Sequence, residues 1–111
     1  MRIIYTPLNV PPPVPSAIAA GIVAAPGSQA TATVLTAQVN IVSTVAANTG
    51  VVLSILTTGR QEVFNAGAQL LTLYPTLGTL FQGQGVNVPV TLPVGGHATF
   101  TFDGTLTWYI S

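Results

Sequence analysis

The sequence predicts an all-β chain: a two-sheet sandwich or jelly-roll-like small barrel with an extended, Pro-rich N-terminal arm. Three observations carry this. Apolar and polar residues alternate with period two from about Gln29 onward, the spacing of a half-buried strand. Gly, Asn and Pro interrupt the pattern about every ten residues, as they do between short strands. No stretch holds a helical period for more than about ten residues, apart from a weak Ala-rich run at 17–25. The 111 residues leave room for one domain, divided here into an arm over 1–28 and a β-domain over 29–111.

The arm holds most of the nine prolines. In VPPPVP, residues 10–15, each proline fixes φ and lacks an N–H, so the run is extended and excluded from the middle of a sheet. The arm carries one charge, Arg2, and no charged side chain occurs from Ile3 to Gly59. Such a segment suits another protein's surface better than water. Pro11, Pro12, Pro13, Val14, Ile18 and Ile22 are therefore candidate assembly contacts.

The β-domain begins with stretches rich in Val, Ile and Thr at 30–35 and 39–45, residues that fit a pleated surface. A turn at Asn48-Thr49-Gly50 precedes a strand at 51–56, which Thr58-Gly59 ends. A short strand at 62–64 closes on Asn65-Ala66-Gly67. Another at 69–74 stops at Pro75. Gly78, Gly83 and Gly85 mark a loop-rich crossing. In VNVPVTL, 86–92, Val86, Val88, Val90 and Leu92 share one face. Pro89 removes a ladder donor there, which places the strand at an edge and makes Pro89 a further candidate assembly contact.

Two strands, 97–102 and 105–110, form the last hairpin. A two-residue Asp103-Gly104 turn would put Phe100 opposite in face to Leu106 and Trp108. A three-residue loop, Phe102-Asp103-Gly104, puts all three on one face. A one-residue slip inverts a strand, so burial selects the odd-length loop, with Gly104 in the left-handed conformation.

Charge is the compositional anomaly. Arg2, Arg60, Glu62 and Asp103 are the only Arg, Lys, Asp or Glu residues, 4% of the chain against about 25% in ordinary domains. Two arginines make no basic stripe for nucleic acid. The longest apolar run, 14–26, has a proline at or near each end and falls short of the ~20 residues of a spanning helix, so no membrane partner is expected. Pro7, Pro11, Pro12, Pro13 and Pro15 fall where the apolar helix of a secretory leader should form. There is no cysteine, hence no disulfide and no thiolate metal site. What remains is a surface largely covered by other protein, including copies of itself.

Signals for chemistry are sparse. His97, Asp103 and the hydroxyl residues contain the types of a Ser-His-Asp set, but Asp103 sits in a turn and no nucleophile elbow is present. Glu62 and Asp103 show no spacing of a general acid–base pair, and one histidine with two carboxylates shows no metal-ligand spacing. Gly83-Gln84-Gly85 lacks the lysine and helix of a phosphate loop. Aromatics at alternating strand positions read as core rather than as a sugar platform, with Tyr109, opposite in face to Trp108, the one most exposed. The expectation is no enzyme, no cofactor and no metal.

Several segments in order resemble a small β-domain of tailed-phage virion proteins. They are an N-x-G-A turn (Asn65, Gly67, Ala68), a strand ending in Tyr-Pro (Leu71, Leu73, Tyr74, Pro75), a Leu-Pro-x-Gly corner (Leu92, Pro93, Gly95) and a terminal aromatic strand (Phe100, Trp108, Tyr109). The likeness runs from about Ser28 to the end. The loop at 80–85, LFQGQG, departs from the Ile-Asn-Gly type of the family, and the arm lies outside it. The resemblance implies a capsid decoration, or cement, protein on the outer surface of the virion, with the major capsid protein and itself, as a homotrimer, for partners. The alternative is a head or tail fibre domain that binds a host surface. The resemblance implies no catalytic residues.

Overall fold

The computed structural model describes residues 18–111, and the described part is all β. Its eleven strands are β1 (Ile18–Val23), β2 (Ala25–Pro26), β3 (Thr33–Val34), β4 (Val39–Thr44), β5 (Thr49–Val52), β6 (Arg60–Asn65), β7 (Leu71–Tyr74), β8 (Leu80–Phe81), β9 (Val90–Leu92), β10 (His97–Phe102) and β11 (Thr107–Ile110). One sheet has the order β1-β4-β6-β10-β11-β8. The other has the order β2-β5-β7-β9, with β3 also on β5. Val42, Val63, Phe100 and Trp108 from the first sheet and Val51, Leu71 and Leu73 from the second share one core, so the sandwich expectation holds.

The connectivity is less expected. Strands β3 to β9 alternate between the sheets. Consequently β1, β4 and β6 pair parallel in one sheet, and β3, β5 and β7 pair parallel in the other. Parallel neighbours need a long crossover, and here the opposite sheet supplies it. The chain winds as a short β-coil whose partner numbers step by 21 from Ile18 to Val39 and by 23 from Val39 to Glu62. This winding replaces the antiparallel jelly-roll alternative. Antiparallel pairs follow in both sheets, β9 on β7 and β10 on β6 followed by β11, and β8 closes the first sheet parallel to β11.

Coiling sets which residues face inward at the corners. Asn40, Gln61 and Asn65 are buried, although a period-two reading treats such residues as solvent-facing. Gln61 accepts from Ser54 N–H at 2.9 Å and donates to the carbonyls of Leu35 and Ala37 at 3.0 and 2.9 Å, tying the β3–β4 corner to the β5–β6 corner. Asn40 donates to the carbonyls of Ala37 and Glu62. Asn65 accepts from Gly67 N–H and donates to the carbonyls of Gln69 and Leu92 at 2.9 Å. Gly67 is required beside it, because a Cβ there would lie 2.6 Å from Val45 Cγ2.

Three sequence expectations are corrected. Residues 18–26, expected in the arm, belong to the β-domain: β1 and β2 join the two sheets and Ala24 is in the core. The strand expected at 86–92 shrinks to β9, because Asn87 has a φ of 66°, which breaks the alternation and leaves Val86 and Val88 exposed. The last hairpin keeps its odd-length loop and its left-handed Gly104 (φ 92°), but the pairing is Phe102 with Trp108 and Phe100 with Ile110. Phe100 and Trp108 are buried as expected, whereas Leu106 is 42% exposed. Asp103 causes the longer loop, since its carboxylate accepts from the N–H groups of Thr105, Leu106 and Thr107 at 2.8–3.1 Å.

Candidate assembly surface

Parallel pairing sets Val34 of β3 beside Val52 of β5. Beyond β5 the chain tucks Leu53 into the core and turns Ile55 outward. Thr76 donates its hydroxyl to the Leu53 carbonyl at 2.8 Å, which brings the segment after β7 alongside. Leu77 there is 76% exposed. Gln29 donates to the Pro75 carbonyl at 2.7 Å and to Asn87 Oδ1 at 3.2 Å, fixing the 27–32 loop against the same segment. The result is an open groove of about 340 Å³, with Val52 and Leu53 at its base and Ala30, Val34, Ile55 and Leu77 around it. No charged side chain lines it. Exposed aliphatic residues grouped this way on a built surface mark an interaction site more often than isolated ones do.

A second depression of about 370 Å³ lies near the start of β4 and β6, lined by Gln38, Val39, Thr58, Arg60 and Glu62. It differs in chemistry, having one cation and one anion.

The candidate contact residues separate. Pro11, Pro12, Pro13 and Val14 lie outside the described residues. Ile18 is exposed at the start of β1, which heads the strand order of its sheet. Ile22 is half-buried and packs against the core. Pro89 is exposed just before β9, the last strand in the order of the other sheet. The edge position expected for Pro89 is therefore present, in the sheet opposite β1. The groove residues Val34, Ile55 and Leu77 were not singled out by the sequence. Each sits in or just after an ordinary strand pattern, and only the coil brings them together.

The ionisable groups gather on the outer face of the first sheet. His97 pairs with Phe64 across β10 and β6, and their rings stack with centroids 4.4 Å apart. His97 Nε2 is 3.5 Å from Glu62 Oε2, with the two side chains 45% and 35% exposed. Thr99 donates to the same carboxylate oxygen at 3.2 Å. Asp103 lies past the far end of β10 from His97, roughly 20 Å away at strand rise, so the two cannot form a triad. Backbone N–H groups of Thr105 and Leu106, then of Thr107, hold the Asp103 carboxyl down at about 2. Glu62 also lines the second depression, and His97 is not among its lining residues. Among the described residues no cluster of three His, Cys, Asp or Glu side chains has metal-site geometry. No helix there is long and apolar enough to cross a membrane.

No family model, curated protein or solved structure matches this chain.

Proposed function

We propose that this chain is a capsid decoration protein of a tailed phage, which binds the outer surface of the assembled shell and associates with copies of itself as a trimer. The observation that carries the reading is the uncharged apolar groove on a chain that is 4% charged. Burial of aliphatic area contributes about 25 cal/mol per Å², and a lattice of shell sites multiplies weak contacts through effective concentration. A surface of this kind gains little from remaining free in water. The ordered motifs between Asn65 and Tyr109, by their resemblance to virion β-domains, support the location.

The test is direct imaging. Virions decorated with the tagged chain should show added density at regular positions on the shell, and shells stripped of the protein should rebind it. Density confined to a tail or head fibre would replace this reading with the host-binding alternative, for which the exposed Tyr109 and the Phe64–His97 stack on one sheet face offer an aromatic surface. Absence from the virion would overturn both.

A further inference from the structure

We propose that Asp103-Gly104 is a site of spontaneous covalent modification, the conversion of aspartate to isoaspartate, which the closed hairpin restrains and an opened hairpin releases. The proposal rests on neither the location nor the assembly in the reading above.

The first argument is chemistry. The backbone nitrogen of Gly104 attacks Cγ of Asp103 and closes a cyclic imide. A Cγ–N bond forms, a Cγ–O bond breaks, and the carboxyl OH leaves with the amide hydrogen as water. Water then adds back at either imide carbonyl. Breaking the Cγ–N bond restores aspartate. Breaking the bond from the Asp103 backbone carbonyl carbon to nitrogen leaves the main chain running through Cγ, which is isoaspartate. Glycine on the attacking side has no Cβ to crowd the ring. Asp103 is the only aspartate in the chain, so the reaction has one address.

The second argument is geometry. Asp103 Oδ1 accepts from the N–H groups of Thr105, Leu106 and Thr107 at 2.8, 2.9 and 3.1 Å, and from the Thr105 hydroxyl at 3.1 Å. The Asp103 N–H donates to the Thr107 carbonyl at 3.0 Å. Ring closure rotates the Asp103 Cα–C bond, and that rotation carries residues 105–107 away from both anchors. The bonds also favour the ionised carboxylate and hold the carboxyl at about 2, whereas loss of water requires the acid form. Orientation and protonation state therefore both oppose the reaction while the hairpin is closed.

The third argument is release. Residues 103–106 are all exposed and none belongs to the core cluster. A tip of this kind opens locally at less cost than the whole fold, and opening removes the restraints together. The product does not return to the same loop. Isoaspartate lengthens the main chain by one carbon and shortens the side chain by one, so its carboxylate no longer spans three successive N–H groups. The pairing of Phe102 with Trp108 then loses the loop that sets its register.

The full chain is aged in mildly acidic buffer, either native or unfolded in guanidinium chloride. An endoproteinase that cuts before aspartate but not before isoaspartate then reads the fraction converted. Mass spectrometry separates this change, which leaves the mass unaltered, from asparagine deamidation, which does not. Conversion should be at least about tenfold slower in the native chain, because the lowered carboxyl depletes the acid form. Thr105→Pro keeps the Asp-Gly pair and deletes the N–H and hydroxyl that Oδ1 accepts from. Thr105 is exposed, and circular dichroism verifies the fold. This variant should convert about threefold or more faster than wild type when native, and at the wild-type rate when unfolded. Equal native and unfolded rates for wild type overturn the restraint. A Thr105→Pro chain that converts no faster than wild type when native overturns the carboxylate bonds as its source.

Discussion

Gln61 is fully buried and holds three backbone groups from two corners of the coil. Replacing it with Leu keeps the volume but leaves Ser54 N–H and the carbonyls of Leu35 and Ala37 without this partner. A buried unsatisfied group costs about 1–3 kcal/mol. We expect Gln61→Leu to lose about 3 kcal/mol of stability, read from urea unfolding, and an unchanged midpoint would show that the amide is dispensable. Asp103 acts at the surface and through protonation. Its carboxyl is lowered from 3.8 to about 2 by the hairpin N–H groups, so its contribution is complete above its unfolded value and lost as pH falls through the folded one. The wild-type chain should lose stability from pH 4 to pH 2. Asp103→Asn, which accepts the same bonds without titrating, should lose less over that interval. Parallel acid profiles for the two chains would remove Asp103 from the account. Neither role is legible in the sequence alone. A Gln in an alternating strand reads as solvent-facing, and the inward turn of Gln61 follows from the Leu35–Ala37 corner, more than twenty positions away in the chain.

At the scale of elements, the hairpin separates what pattern fixes from what chemistry adds. Parity of the loop follows from where Phe100 and Trp108 must point, and that was legible. Loop length was not, because it depends on the Asp103 carboxylate gathering three successive N–H groups. This makes the two apolar positions unequal. Phe100→Ala should cost about 3–5 kcal/mol, the range for deleting a buried aromatic ring. Leu106→Ala should stay within about 0.5 kcal/mol, as at an exposed site. Thermal unfolding of both variants checks the pairing, and a large loss for Leu106→Ala would favour the tighter loop. The groove was illegible for a related reason. Val34, Ile55 and Leu77 belong to three separate strand ends, and period two says nothing of parallel order.

For the whole molecule, the decisive quantity is how little charge is available to drive association. Formal charges cancel to +0, and Glu62 is already engaged with His97 and Thr99. A partner held by ion pairs is released as salt shortens the Debye length from about 10 Å at 0.1 M to about 3 Å at 1 M. A partner held by aliphatic burial is not, and excluded salts such as sulfate strengthen its hold. The two depressions thus make opposite forecasts. Contact through the Val34–Ile55–Leu77 groove predicts an association constant that changes by less than about twofold between 0.1 and 1 M sodium chloride and rises in sulfate. Contact through the Arg60–Glu62 depression predicts a fall of about tenfold or more over the same range. Sedimentation equilibrium of the full chain distinguishes them. Cooling supplies an independent check, because apolar burial weakens toward low temperature. Self-association that survives high salt and loosens in the cold identifies the uncharged groove as the surface in use. Dissociation by salt at constant temperature assigns assembly to Arg60 and Glu62 instead.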